Sequence, residues 1–280
     1  MPPCEAFANS FPIASPPLEV DAQVLIPPHH REPFERTGLQ RAEGPFPEHL
    51  LRFLQVQSGR LYGQFDIPRP WHYAELHNPW ARAATAYDSW GFLDICHSST
   101  LVETVTTLIG TDIVLFDSQW LPDRWESPRA ESALESDAHR FPVDPPRGLT
   151  ALIAFADTPT GTVRVDDRPA HQRHAADRHP YGSLELKRGE VLFVDSRAPY
   201  CVHAAREGSL PTVYAVRYFP ASSRYIRDPA APVHRALTER YPLFNYAQMP
   251  LWLVHGQDQA GNDFVTGFNV RAGFWTNADW

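Results

Sequence analysis

The chain has 280 residues, 25 of them basic and 33 acidic, for a formal net charge of -8. With no Lys/Arg run to line a phosphate backbone, nucleic acid is not an expected partner. No stretch approaches the roughly twenty apolar residues of a membrane span, and Met1-Pro2-Pro3-Cys4-Glu5 lacks the basic and apolar regions of a signal peptide. A cytoplasmic protein without a membrane partner is expected.

The hydrophobic content of 43% suffices for a sizeable core, and the length fits one domain. The three cysteines, Cys4, Cys96 and Cys201, are too few for a disulfide framework or a structural zinc site and fit a reducing compartment. Sixteen Phe, ten Tyr and eight Trp suit an enclosed pocket for an apolar organic substrate as well as a packed core.

Residues 1–41 are rich in proline and read as an irregular segment on the domain surface. Residues 42–110 read as helical. A helix is expected over Phe46 to Gln55, with Pro47 in its first turn and Gly59 just past its end. A second starts at a capping box of Thr100 and Glu103, repeats Leu101, Val105, Leu108 and Ile109 on one face, and stops at Gly110. From 111 to 220 the pattern is that of strands: Ile113 to Phe116, Leu149 to Phe155, Val163 to Val165, Glu190 to Val194 and Thr212 to Phe219. Turns at Pro145 to Gly148, Pro159 to Gly161 and Arg188-Gly189 separate them. Residues 221–280, with the run Tyr246 to Trp252 and the aromatics Phe264, Phe268, Phe274, Trp275 and Trp280, read as a cover. His171, His174 and His179 lie in a polar Arg/Asp-rich stretch and read as a solvated loop. Cys201 reads as a small buried residue, with no histidine spaced to activate it. The fold class is mainly β with flanking helices, an antiparallel double-sheet barrel with helices on one side.

The order of segments from about Tyr87 to Phe219 resembles the phytanoyl-CoA dioxygenase family of Fe(II)/2-oxoglutarate oxygenases. The resemblance is carried by Phe92-Leu93-Asp94-Ile95, Gly110 to Phe116, Ser136 to Pro142 with Gly148 to Ala154, Gly161 to Val165, and Arg188 to Arg197. It implies a double-stranded β-helix, a jelly roll of the cupin kind. In the family a histidine, one spacer and an aspartate bind iron from one strand; Glu135 and Asp137 stand at the matching positions here. The second histidine of the family falls on Tyr200 in an ungapped reading and on His203 if the loop is longer. The arginine that grips 2-oxoglutarate in the family has only Arg206 and Arg217 as displaced counterparts.

Two imidazoles and one carboxylate on one face make such an iron site, and the resemblance replaces the first imidazole by Glu135 and supplies the second, as His203, only if the loop is longer. If a metal is bound, Asp137, His139 and His203 could form a reordered triad, or Glu135, Asp137 and His203 a site for a harder ion. The leading expectation is that there is no metal and no cofactor. Glu135, Asp137 and His139, alternating along one strand, would then form an acid/base set at the mouth of an aromatic-lined barrel. Tyr200 and His203 would extend the relay. Arg140, Arg197, Arg217 and Phe141 would bind the substrate, with Arg140 or Arg197 stabilising an enolate. The expected function is metal-independent isomerase, cyclase or lyase chemistry on an apolar oxygenated metabolite, in secondary metabolism. The alternatives are an oxygenase using Fe(II) and 2-oxoglutarate, and a catalytically silent binding protein. The expected partners are a small-molecule substrate and at most a second copy of the chain in a homodimer.

Overall fold

A computed structural model of the chain describes residues 31–42, 45–62, 73–80, 86–121, 134–173, 182–203, 210–241, 245–264, 268–269 and 274–275. Most of the segment expected to be irregular, 1–41, lies outside these residues. Its described end is ordered, as helix α1 (Glu32–Thr37) and strand β1 (Leu39–Arg41). Gly38 between them has φ +68, a left-handed turn that glycine adopts at little cost, and its Cβ would sit 3.1 Å from that of Asp195.

Three further helices precede the sheets. Helix α2 (Glu48–Tyr62) runs through Gly59, past the expected stop, because the continued turn buries Leu61. Burying a leucine outweighs the roughly 1 kcal/mol that a mid-helix glycine costs. Helix α3 (Ser89–Cys96) begins at Asp88, whose side chain accepts from the Gly91 N–H. Helix α4 (Ser99–Ile109) buries Leu101, Val105 and Leu108 and ends at Gly110, as its spacing predicts. Its capping box does not form. Ser98 occupies the cap position, while Thr100 lies inside the helix and is wholly buried.

After the helices, nine strands join β1 to build two antiparallel sheets. They are β2 (Ile113–Leu121), β3 (Glu135–Ser136), β5 (Leu149–Ala154), β6 (Val163–Val165), β7 (Gly182–Leu184), β8 (Val191–Asp195), β9 (Pro199–Val202), β10 (Val213–Pro220) and β12 (Trp252–His255). The larger sheet has the order β1-β8-β5-β10-β2-β12 and the smaller β3-β9-β6-β7. A separate short ribbon pairs β4 (Val143–Asp144) with β11 (Arg224–Tyr225). Helix α5 (Pro232–Arg240) follows.

Both faces of the larger sheet are covered, which is why its strands read as nearly unbroken apolar runs. Leu149, Ala151 and Ile153 of β5, with Tyr214, Val216 and Tyr218 of β10, pack with helix residues such as Leu54, Phe92 and Leu101. The alternate residues Leu152, Ala154, Val213 and Ala215 pack against Val163, Val165 and Tyr200 of the smaller sheet. A third cluster gathers Val114, Phe116, Phe141 and Phe219 with Tyr225, Tyr246, Met249 and Leu251, so the run after Tyr246 covers the sheets. A bulge interrupts β2: Arg217 pairs with Asp117 and Tyr218 with Leu115, leaving Phe116 without an opposite residue. Among the described residues no helix is long and apolar enough to cross a membrane.

Candidate functional site

Period-two geometry aims Asp117 and Gln119 of β2, Thr150 of β5 and Arg217 of β10 toward the space between the sheets, in line with Leu121, Leu152 and Ala215. All four polar residues are buried. Here they meet Asp137. Its carboxylate Oδ2 accepts from Thr150 Oγ1 at 2.8 Å, Tyr200 Oη at 2.7 Å and Arg217 Nε at 3.1 Å. The Arg217 guanidinium also donates through Nη1 to Asp117 Oδ2 at 3.0 Å, and its Nη2 stands 3.5 Å from Tyr200 Oη. A single guanidinium thus bridges two buried carboxylates.

The electrostatics follow from burial and this bridge. Burial alone would raise the Asp137 carboxyl, but Arg217 and Arg140, with the hydrogen bonds from Tyr200 and Thr150, bring it below the ordinary carboxylate range. Burial raises Asp117 despite the pull of Arg217. Burial also works against the Arg217 charge, and the carboxylates of Asp137 and Asp117 secure it. Burial and the Asp137 charge raise the Tyr200 phenol, which keeps its proton. Alongside lies Glu75, pushed up to about 8 by burial and by Asp117. Its φ of 54 is the only positive value on a residue other than glycine among the described residues. Asp117 Oδ1 and Gln119 Nε2 are buried without a hydrogen-bond partner.

The expected acid/base face does not form. Only Glu135 and Ser136 are extended; Asp137 to His139 turn as a single 3-10 turn. Ser136 starts this turn, its Oγ accepting from Ala138 N and donating to Ser196 O. Ala138 N donates to the same Ser196 carbonyl at 2.6 Å. The tight turn replaces alternation, so Asp137 points inward while Glu135 and His139 are exposed. Glu135 pairs with Arg140 at 2.6 Å instead of approaching Asp137. Arg140 Nη1 lies 3.6 Å from Asp137 Oδ1 and so links the surface to the interior.

The predicted residues therefore divide into separate places. Asp137, Tyr200 and Arg217 form the buried bridge, while Glu135, His139, Arg140 and Arg197 line a cleft of about 1170 Å³. Phe141 faces neither site: it is buried over Gly148, where a Cβ would come within 2.4 Å of its ring. His203 lies at the end of β9 with Nε2 3.0 Å from Cys201 Sγ. Cys201 therefore has a histidine beside it that the sequence spacing did not suggest. Burial pushes its thiol up to about 11 and, with the Arg164 charge, lowers the His203 imidazole. Arg206, His174 and His179 lie outside the described residues, and His171 is exposed. Sequence reasoning missed Asp117, Gln119 and Thr150. Their signal was a polar side chain at an inward position of an otherwise apolar strand.

These residues do not fit an iron centre of two imidazoles and one carboxylate. Three donors converge on Asp137 Oδ2, the residue opposite is a protonated phenol, and neither His139 nor His203 reaches them. No group of three His, Cys, Asp or Glu side chains that could hold a metal ion occurs among the described residues.

No protein-family model and no curated protein matches this sequence. Solved structures share its fold. CytC3, which also has a structure with Fe(II) and alpha-ketoglutarate, is 17% identical with a TM-score of 0.56, over 91% of this chain and 97% of its own. SnoN, a non-heme alpha ketoglutarate dependent epimerase from nogalamycin biosynthesis, is 16% identical with a TM-score of 0.52, over 70% of this chain and 83% of its own. The non-heme monooxygenase ThoJ, in a nickel complex, is 16% identical with a TM-score of 0.53, over 82% of this chain and 85% of its own. The chain shares the β-rich fold of these three proteins.

Proposed function

We propose that this chain is a metal-independent, non-redox enzyme of the isomerase, cyclase or lyase type, built on a jelly roll of the phytanoyl-CoA dioxygenase kind. The observation that carries this reading is Arg217, whose guanidinium bonds Asp137 and approaches Tyr200, the two positions that the family resemblance marks for metal ligands. Arg217, Tyr200 and Thr150 together leave Asp137 no free lone pair on Oδ2, and Oδ1, which has no hydrogen-bond partner, lies 3.6 Å from the Arg140 guanidinium, a cation that disfavours a second one there. Chemistry then moves to the cleft above. Glu135 takes a proton from carbon beside a carbonyl and loses it to solvent, Arg140 stabilises the developing enolate oxygen, and His139 delivers a proton drawn from solvent to a new position. Asp137 touches no substrate in this scheme; it positions Arg140 from below. SnoN supports only the isomerisation in this reading, since it is an epimerase on this fold that is alpha ketoglutarate dependent.

The fold likeness favours a second reading, an oxygenase using Fe(II) and 2-oxoglutarate, because CytC3 has a structure with both. That reading requires His139 and His203 to reach Asp137 and Arg217 to leave it. Protein purified without chelator and then loaded anaerobically with Fe(II) separates the two. Metal analysis should find no stoichiometric iron, and 2-oxoglutarate should yield no succinate. One iron per chain with succinate release would sink the first reading. For the acid/base step, Glu135→Gln and His139→Gln should each slow deuterium uptake from solvent into a converted substrate by about a hundredfold. Unchanged uptake in both variants would remove these residues from the mechanism.

A further inference from the structure

The cleft over Glu135 and His139 is lined by six arginines and four carboxylates, a local excess of positive charge in a chain whose formal net charge is -8. Each of the four carboxylates is already held by an arginine. Arg147 has no acidic partner among the described residues. It lies exposed in the turn that leads into β5, at the rim of the cleft.

The backbone brings a second arginine near it. Leu149 pairs with Asp195 in the antiparallel β5/β8 ladder. One step on, the Gly148 carbonyl accepts from Ser196 N at 2.9 Å, and Arg147 and Arg197 are the residues that flank this bond, Arg197 in the turn that Ala198 N closes on Asp195 O. Two like charges set this near each other repel unless something of opposite sign stands between them. Asp195 holds Arg197 through Nε and Nη2, both at 2.9 Å. This grip fixes the plane of the guanidinium and leaves Nη1 unused among the described residues, on a side chain that is 71% exposed. A guanidinium fixed in this way binds an anion with little loss of side-chain freedom. The Ser196 carbonyl in turn holds Ala138 and Ser136, so the arginine pair and the His139 turn share one wall of the cleft.

We infer that Arg147 and Arg197 form an anion grip and that the substrate carries a carboxylate or a phosphate, held there while its reacting carbon lies over Glu135 and His139. This rests on the reading above that the cleft receives the substrate. The grip itself is measured without turnover, so either inference can fail while the other stands.

The test is calorimetric titration of the full chain at low ionic strength with inorganic phosphate and with malonate, chloride serving as the control anion. Wild-type protein should bind one of them in a salt-sensitive manner. Tighter phosphate assigns a phosphate ester and tighter malonate a carboxylate. Arg147→Ala and Arg197→Ala should each weaken binding about tenfold, the double variant should abolish it, and Arg147→Lys should recover only part. Arg188→Ala, which removes the partner of Glu48 outside the cleft, should change nothing. Thermal unfolding of each variant separates loss of the grip from loss of the fold. Neither anion binding to the wild type, or both binding the folded double variant as tightly, would overturn the inference.

Discussion

The two ends of the space between the sheets use the same strands and the same alternation, yet they are filled in opposite ways. At one end Leu121, Leu152, Ala154, Val213 and Ala215 pack with no polar side chain to satisfy. At the other Asp117, Thr150, Asp137, Tyr200 and Arg217 are equally buried, and each depends on the rest. The apolar end tolerates loss of a group in proportion to the volume removed. The polar end does not, because removing one partner leaves another buried and uncompensated.

The sharpest way to break this contrast is Arg217→Met, which keeps bulk but leaves two carboxylates facing each other. It should cost about 4 kcal/mol in chemical denaturation, and adding Asp117→Asn and Asp137→Asn should recover most of the loss. Next comes pH. Glu75 is raised from 4.5 to about 8, so its neutral form favours folding. That contribution is complete below about pH 4.5, where the unfolded chain also holds the proton, and declines until it is lost above about pH 8. A few kcal/mol should disappear across this window in wild-type denaturation curves, and Glu75→Gln should flatten the slope. Asp137 acts with the opposite sign: its lowered pKa stabilises above the ordinary carboxylate range and fails as acid protonates it. Leu152→Ala, at the apolar end, should cost about 3 kcal/mol and shift the whole pH curve without changing its shape. Smallest is Tyr200→Phe, which removes one of three donors to Asp137 and should cost about 1 kcal/mol. An equal loss from Tyr200→Phe and Arg217→Met would erase the distinction between hydrogen bond and charge compensation.

Much of the scaffold was legible because hydrophobic period is a strong local signal. The strand at Val163–Val165 appears as read, the one read as Leu149 to Phe155 ends one residue earlier at Ala154, and α4 buries the face that its spacing marks. What was not legible depends on residues far apart in the chain. Arg217 meets Asp137 across eighty positions and Asp117 across one hundred, a pairing that only the sheet order produces. The alternation read through Glu135, Asp137 and His139 failed for a local reason. Ser136 can accept the Ala138 N–H, and that small bond turns the chain before a strand can continue. Gly59 misled in the opposite direction, since the weak preference of one residue yielded to burial of Leu61.

The bulge in β2 sets a reading frame for the whole interior. Because Phe116 has no opposite residue, the strand before it and the strand after it are out of phase by one. Phe116 can therefore join the aromatic cover while its neighbour Asp117 holds Arg217. Deleting that single residue would leave every pair in place, since Leu115 would then adjoin Asp117 in ordinary alternation, and would cost only the Phe116 ring in the aromatic cover. The protein should thus tolerate loss of this unpaired residue better than loss of a paired one such as Gln119, which would turn Asp117 away from Arg217.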